Sequence, residues 1–310
     1  MMPSIIAQVQ TGLCYDSCLK VGGKMTTKVS IGLTTWSEHP ALIDGKQRPV
    51  KLSEYAAWLP TVEIDTFFYA LPKIATVVNW LHQVPSSFSF IIKAHQAMTL
   101  HDQGSSLDAG SLPQLFDQYR QSIMPLVAAG QLKTILFQFP PYFEPSIKHI
   151  EYFHRIREWL PNLPIAVELR NRQWFSKAAV DSLTSYCRDL NFTLVAADEP
   201  NVGIASVPFL VSATNPDLVL MRLHGRNAKG WATQGPSWRK TRTLYRYSSD
   251  ELHRLAKVVQ QTSKKAREVC VVFNNNSGKD AAPNALSLAK ILDLHFSGLA
   301  KRPPEQLNLF

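Results

Sequence analysis

The feature that most constrains this chain is one short pattern that recurs eight times. The copies are VSIGL (29–33), VEIDTF (62–67), FSFIIKA (88–94), TILFQF (134–139), IAVEL (165–169), TLVAA (193–197), LVLMRL (218–223) and VCVVF (269–273). Near-continuous apolar runs of this length read as strands buried on both faces, the mark of a parallel sheet. Parallel strands need long crossovers. Segments with helical periodicity supply them at 52–59, 72–81, 112–129, 146–160, 177–190, 249–264 and 285–296. Ser53 is a candidate cap for the first, Pro72 opens the second and Gly130 closes the third. The stretch after the sixth strand has no helical period. Eight strands alternating with helices indicate a closed (β/α)8 barrel rather than an open sheet.

Polar residues interrupt these runs at their C-terminal ends, often in pairs two apart: Glu63 and Asp65, Lys93 and His95, Glu168 and Arg170, Arg222 and His224, Asn274 and Asn276. Trp36, Gln138 and Asp198 fall at equivalent places singly. Side chains at i and i+2 share one face of a strand. In a barrel that face points to the axis, and its C-terminal end is the mouth where active sites are built. Charges there need partners or a task, because an unpaired buried charge is costly. Lys93, Arg170 and Arg222 suit a phosphate or carboxylate, while Glu63, Asp65, Glu168, Asp198 and His224 suit proton transfer. A salt-bridge network that closes the barrel is the competing reading. A weaker alternative has Glu63, Glu168, Asp198 and His224 ligating a divalent metal. The interleaved cations oppose it.

The connection after the seventh strand mixes cations and aromatics: Arg226, Lys229, Trp231, Trp238, Arg239, Lys240, Arg242, Tyr245, Arg246 and Tyr247. That mixture suits phosphates with stacked rings. Loops after strands seven and eight of such barrels commonly bind phosphate. The asparagines Asn274, Asn276 and Asn284 flank the turn into the last helix, whose N–H groups extend the same expectation. The loop after the third strand has a small, polar tip at 104–111, suited to a lid or a mobile excursion.

Net charge narrows the partners. The 310 residues carry a formal charge of +9, which favours anions such as phosphorylated metabolites or nucleic acid. Cys14, Cys18, Cys187 and Cys270 are too few for a disulfide framework and fit a reducing, cytoplasmic compartment. No apolar run approaches the roughly 20 residues that span a bilayer, so no membrane role is expected. No dinucleotide fingerprint or phosphate-cradling GKS or GKT loop is present, and no organic cofactor is expected. Residues 1–28 read as a disordered leader without signal-peptide character, with Met25 a candidate start. The barrel domain is expected over 29–298 and a flexible tail over 299–310.

In this order, VEIDTFFYALP, FIIKAHQAMTLH, LFQFPPYF, VELRNRQW, DEPNVGIA, RLHGRN and FNNNSGKDAAPNA resemble the YecE-like family, domain of unknown function 72. The resemblance covers roughly 29–296, and seven ordered motifs are far more specific than one. It implies a (β/α)8 barrel and no established reaction. Members commonly have a small hydroxyl residue where this chain has Phe67, which implies a more apolar wall here if that position faces the mouth.

The tail adds a separate signal. Gln306, Leu307, Asn308, Leu309 and Phe310 resemble the peptide by which bacterial polymerases and repair proteins dock on the sliding clamp. Pro303 and Pro304 hold it clear of the domain, Leu309 and Phe310 are apolar anchors, and Gln306 adds an orienting hydrogen bond. Three functions follow from these residues. One is an enzyme in nucleic-acid metabolism recruited by its tail. The second is an isomerase, lyase or hydrolase of a small phosphorylated or acidic sugar. The third is a barrel that binds nucleic acid or ligand without turnover.

Overall fold

The computed structural model describes residues 27–101, 111–203, 206–233 and 238–302. The described strands are β1 (Lys28–Thr34), β2 (Thr61–Ile64), β3 (Ser89–Lys93), β4 (Leu132–Gln138), β5 (Ile165–Glu168), β6 (Phe192–Leu194), β7 (Ala196–Asp198), β8 (Leu218–Leu223) and β9 (Glu268–Phe273). They form one parallel sheet in the order β6-β5-β4-β3-β2-β1-β9-β8-β7. β6 and β7 are the two halves of the expected sixth strand, parted at Val195. The first half pairs with β5 and the second with β8. The run Phe192–Asp198 thus joins both edges and nearly closes the barrel. Strand stagger in a closed sheet makes such a handover natural.

Helices surround the sheet: α1 (Leu52–Tyr55), α2 (Ile74–Leu81), α3 (Ser111–Ala128), α4 (Ile147–Trp159), α5 (Val180–Asp189), α6 (Ala228–Ala232), α7 (Trp238–Arg242), α8 (Ser249–Thr262) and α9 (Ala281–Ile291). Residues 206–217 contain no helix, as the missing period suggested. No helix among the described residues is long and apolar enough to cross a membrane.

Strand alternation separates two cores. Ile31, Leu33, Val62, Ile64, Phe90 and Phe137 pack outward under the helices. Ile91, Leu136, Ala166, Val195, Leu220, Cys270 and Val272 fill the barrel interior. Below them, Lys133 pairs with Glu268, which also accepts from the Ser30 hydroxyl. The β3–β4 register passes over Lys133, a bulge that takes this residue off the alternation.

Several expectations need correction. α1 stops at Tyr55, and its N-cap is Lys51, whose N–H bonds to Glu54 Oε2 at 2.9 Å; Ser53 lies inside the helix. β2 ends at Ile64. Asp65 adopts helical backbone (φ −90°, ψ −14°) and leads into a 3-10 turn over Thr66–Phe68. Phe67 therefore leaves the mouth face and is buried in the outer core, 5.6 Å from the Tyr119 ring and 6.2 Å from Trp80. On α2 the buried residues are Val77 and Trp80, whereas Ile74 is 52% exposed. α9 begins at Ala281 rather than Ala285, since Pro283 in a first turn forfeits no helical hydrogen bond. Of the expected leader at 1–28, the loop tip at 104–111 and the tail at 299–310, residues 1–26, 104–110 and 303–310 lie outside the described residues; Lys28 opens β1, Ser111 opens α3, and the Ala300 N–H donates to Ala56 O at 3.0 Å.

Candidate functional site

The floor of the mouth is a closed ionic network centred on Arg222, which is 1% exposed at the end of β8. Its guanidinium donates to Glu63 in bidentate form, Nε to Oε2 at 2.8 Å and Nη2 to Oε1 at 2.5 Å. Its third nitrogen, Nη1, donates to Glu168 Oε2 and to Gln138 Oε1. Glu168 Oε1 accepts from Arg170 Nη1 at 2.9 Å and from His224 Nε2 at 3.1 Å. Asn274 donates to His224 Nδ1 at 2.9 Å and accepts from the Thr34 hydroxyl at 2.9 Å. Residues from β1, β2, β4, β5, β8 and β9 are thereby tied into one lattice.

That lattice fixes protonation. Burial pushes the His224 imidazole down to about 3, outweighing Glu168. The ring is neutral, with its hydrogen on Nε2 directed at Glu168 and Nδ1 accepting from Asn274. Burial raises the Glu168 carboxyl, but Arg222, helped by Arg170, outweighs it and holds the group well below the usual range. Burial pushes Glu63 up to about 7 despite Arg222, with Asp65 adding to the rise. One guanidinium serves two carboxylates here, and at Glu63 burial, with Asp65 adding to it, outweighs Arg222.

Two walls rise from this floor. On one, Arg170 Nη2 meets Glu199 Oε2 at 2.8 Å, and the Arg170 and Arg242 guanidiniums lie 5.1 and 3.7 Å from the Trp231 ring. Burial and the nearby Arg170 lower Arg242 to about 10. On the other, Lys93 Nζ lies 3.8 Å from Asp65 Oδ1 and 4.6 Å from the Phe68 ring centre. His101 stacks edge-on against Phe68, and burial with Lys93 lowers it to about 4. His95 Nδ1 accepts from the Ala97 N–H at 3.2 Å, which orients it along the turn after β3.

Not every residue expected at the mouth is in this network. Asp198 shares the outward parity of Ala196, not that of Val195, which faces the barrel interior. Asp198 accepts from Arg226 Nε and Nη2 and from the Tyr247 hydroxyl, a buried anchor beneath the β8–α8 connection. Arg226 also pairs with Glu251 at 3.1 Å, so its charge is spent on that anchor. Asn284 sits in α9 and holds both backbone polar groups of Tyr247, at 3.0 Å each. Asn276 reaches the rim and donates to Glu38 Oε2 at 2.9 Å. Trp36 packs edge-on against Trp80 of α2 at 5.8 Å. The cause is Thr35, whose φ of 57° reverses the alternation at the end of β1. The four residues of the metal alternative do not converge, because Asp198 faces away and Arg222 occupies both Glu63 and Glu168. No group of three or more His, Cys, Asp or Glu placed to hold a metal ion occurs among the described residues.

Residue-by-residue reading passed over Glu199, which takes the place expected for Asp198. TLVAADE is apolar on both parities, so the sequence offers no contrast to say which acid faces inward. Arg242 carried no signal beyond membership of a basic loop.

A parallel (β/α)8 barrel whose mouth is floored by a saturated, buried ionic network defines the class of protein. The chain belongs to the family described as protein of unknown function DUF72, whose model matches residues 30–308. UPF0759 protein YunF of Bacillus subtilis is 36% identical over 91% of this chain and 100% of its own length. The crystal structure of a DUF72 family protein from Enterococcus faecalis V583 superposes with a TM-score of 0.84 at 40% identity, covering 90% of this chain and 100% of that one. One from Thermotoga maritima gives a TM-score of 0.72 at 28% identity, over 86% of this chain and 99% of that one.

Proposed function

We propose that this chain is an enzyme acting on a small phosphate ester, such as a phosphorylated sugar, at the C-terminal mouth of its barrel. The observation that carries the reading is an open depression at the rim, lined by Glu38, Lys240, Thr243, Asn276, Ser277 and Lys279, with a volume of about 480 Å³. That size suits a small ligand. Its lysines, Lys240 and Lys279, lie on the connections after β8 and β9, the seventh and eighth strands of the barrel count, where barrels of this type commonly hold phosphate, and Glu38 follows β1. Glu38 opposes an anion, but its Oε2 is engaged by Asn276. Burial raises Glu63 to about 7, which makes it the better acid–base candidate once the Arg222 pair that holds both its oxygens opens. Glu168 and His224 are held by partners on every side and serve as the frame.

The test is thermal unfolding with ribose 5-phosphate, glucose 6-phosphate, glycerol 3-phosphate and inorganic phosphate. The reading expects a raised midpoint that Lys240→Ala/Lys279→Ala abolishes. No shift with any of the four removes it.

A second reading rests on the sequence QLNLF at 306–310 after Pro303 and Pro304, which favours recruitment to DNA by a bacterial sliding clamp. Micromolar binding to the clamp that Leu309→Ala/Phe310→Ala eliminates supports it, and no binding by the intact chain ends it. Steeply salt-dependent binding of nucleic acid, without turnover, is the outcome that favours a binding protein instead.

A further inference from the structure

The two halves of the mouth are not equivalent. In the β5–β9 half, every polar group of Glu168, Arg222 and His224 has a protein partner, and Glu199 Oε2, buried without a well-aligned hydrogen bond, still meets Arg170 Nη2 at 2.8 Å. In the β1–β3 half, the hydroxyl of Thr35 and Oδ1 of Asp65 are buried without a hydrogen-bond partner. Buried polar atoms are nearly always paired in native proteins, so two orphans on adjacent strand ends call for a cause. Lys93 Nζ is 3.8 Å from that same Asp65 oxygen, an ionic contact too long for a hydrogen bond.

The backbone shows the same asymmetry. Thr35 is a β-branched residue at φ 57°, a region such residues strongly disfavour. Its N–H is fixed on Glu63 O at 2.9 Å, so the β1–β2 ladder holds it there. Strain of this kind gathers at functional sites. The strand registers set Thr35 beside Ile64 and carry Asp65 to the level of Lys93. The three residues therefore occupy neighbouring strand ends, with Thr35 one residue short of the level that Asp65 and Lys93 share. The Asp65 and Lys93 side chains keep 30% and 14% of their surface exposed, which leaves an approach from the mouth. Phe68, half-buried beside Lys93, supplies an apolar face.

We infer that this sector receives a ligand hydroxyl, which accepts from Lys93, donates to Asp65 and is completed by the Thr35 hydroxyl. A hydroxyl is the group that fits, since it donates and accepts at once, whereas phosphate offers Asp65 nothing but repulsion. The inference rests on the phosphate-ester reading and deepens it. The phosphate lies at the rim depression bordered by Glu38, and the carbon skeleton crosses the end of β1 to present a hydroxyl at Asp65. The ligand class is a hydroxylated phosphate ester, a sugar or polyol phosphate.

The test measures affinity of the full chain for ribose 5-phosphate, glucose 6-phosphate, glycerol 3-phosphate and inorganic phosphate by ligand-detected NMR. The wild type is expected to bind at least one of the three esters about tenfold or more tightly than inorganic phosphate, the value of one charge-assisted hydrogen bond. Asp65→Asn and Thr35→Gly are expected to reduce that ester to the affinity of inorganic phosphate, with phosphate binding itself unchanged. Thr35→Gly relieves the left-handed backbone, so its midpoint of thermal unfolding stays level or rises. Esters that bind equally well to both variants overturn the inference and leave the phosphate reading in place. So does a fall in the Thr35→Gly midpoint with affinity intact, which marks the residue as structural. A wild type that binds no ester better than phosphate also overturns it. Failure of the wild type to bind any of the four removes both.

Discussion

At the scale of single residues, Arg222 carries the most consequence, because one buried cation neutralises two buried carboxylates. Arg222→Met leaves Glu63 and Glu168 facing each other, and breaking such a pair costs about 3–5 kcal/mol. Urea unfolding is expected to show a loss of that size, with Glu63→Gln added to the same chain recovering part of it. Glu63 and His224 also predict opposite pH responses. The folded Glu63 carboxyl, at about 7 against an ordinary 4.5, binds a proton more readily than in the unfolded chain. Its contribution to stability is full below pH 4.5 and is lost as pH rises through 7. His224 is depressed to about 3 from 6.5, so its contribution is full above 6.5 and is lost as pH falls through 3. Between 4.5 and 6.5 the two oppose each other. Glu63→Gln removes the falling component, so stability in the variant should climb more steeply with pH across that window. Imidazole resonances should show the His224 ring still neutral and Nε2-protonated at pH 5; a charged ring there contradicts the assigned hydrogen bonds. The spacing of Glu168 with Arg170 and Arg222 with His224 made these residues legible in sequence, because strand period places them together. Their saturation was not legible, since it depends on how one guanidinium reaches across the barrel.

At the scale of elements, strands were readable and the ends of strands were not. Apolar runs fixed β3, β4, β8 and β9 to within a residue or two. The stopping points of β1 and β2 depend on Thr35 and Asp65 leaving extended backbone, which no pattern of hydrophobicity encodes. Those two departures moved Trp36 and Phe67 into the outer core. The β8–α8 connection illustrates the other limit. Its cations and aromatics read as a ligand-binding stretch, yet Arg226, Tyr245 and Tyr247 are bound up with Asp198 and Glu251. Asn284 of α9 clamps the backbone of Tyr247 and receives Asn275, so one side chain fastens the whole connection to the last helix. Asn284→Ala strands the Tyr247 amide and carbonyl, and a cost of about 2 kcal/mol is expected. Faster hydrogen exchange should be confined to Tyr247 and its neighbours, with β8 and β9 still protected. Uniform loosening of the barrel would show that the clamp is not local.

At the scale of the whole molecule, the barrel carries buried charge at both ends and an apolar plug between them. The mouth network and the Lys133–Glu268 pair are separated by Ile91, Leu136, Ala166, Leu220, Cys270 and Val272. Arg222 is level with Val272, four residues along β9 from Glu268, which sets the two charged clusters about 13 Å apart along the strand. Sites that far apart with no shared partner behave additively. Burial favours neutral Lys133, but Glu268 outweighs it and keeps the ammonium charged, while Glu268 is in turn held below its usual range by Lys133. Lys133→Met alone leaves a buried carboxylate unpaired and should cost about 3–5 kcal/mol, whereas Lys133→Met/Glu268→Leu should recover most of that loss. If the charges at the bottom serve the fold alone, the double variant keeps the wild-type affinity for any ligand of the proposed mouth site. Urea titrations of the single and double variants, with and without Arg222→Met, test this directly. A coupling above about 0.5 kcal/mol between the two ends would mean that the apolar plug transmits strain along the axis, and the barrel would have to be treated as one electrostatic unit.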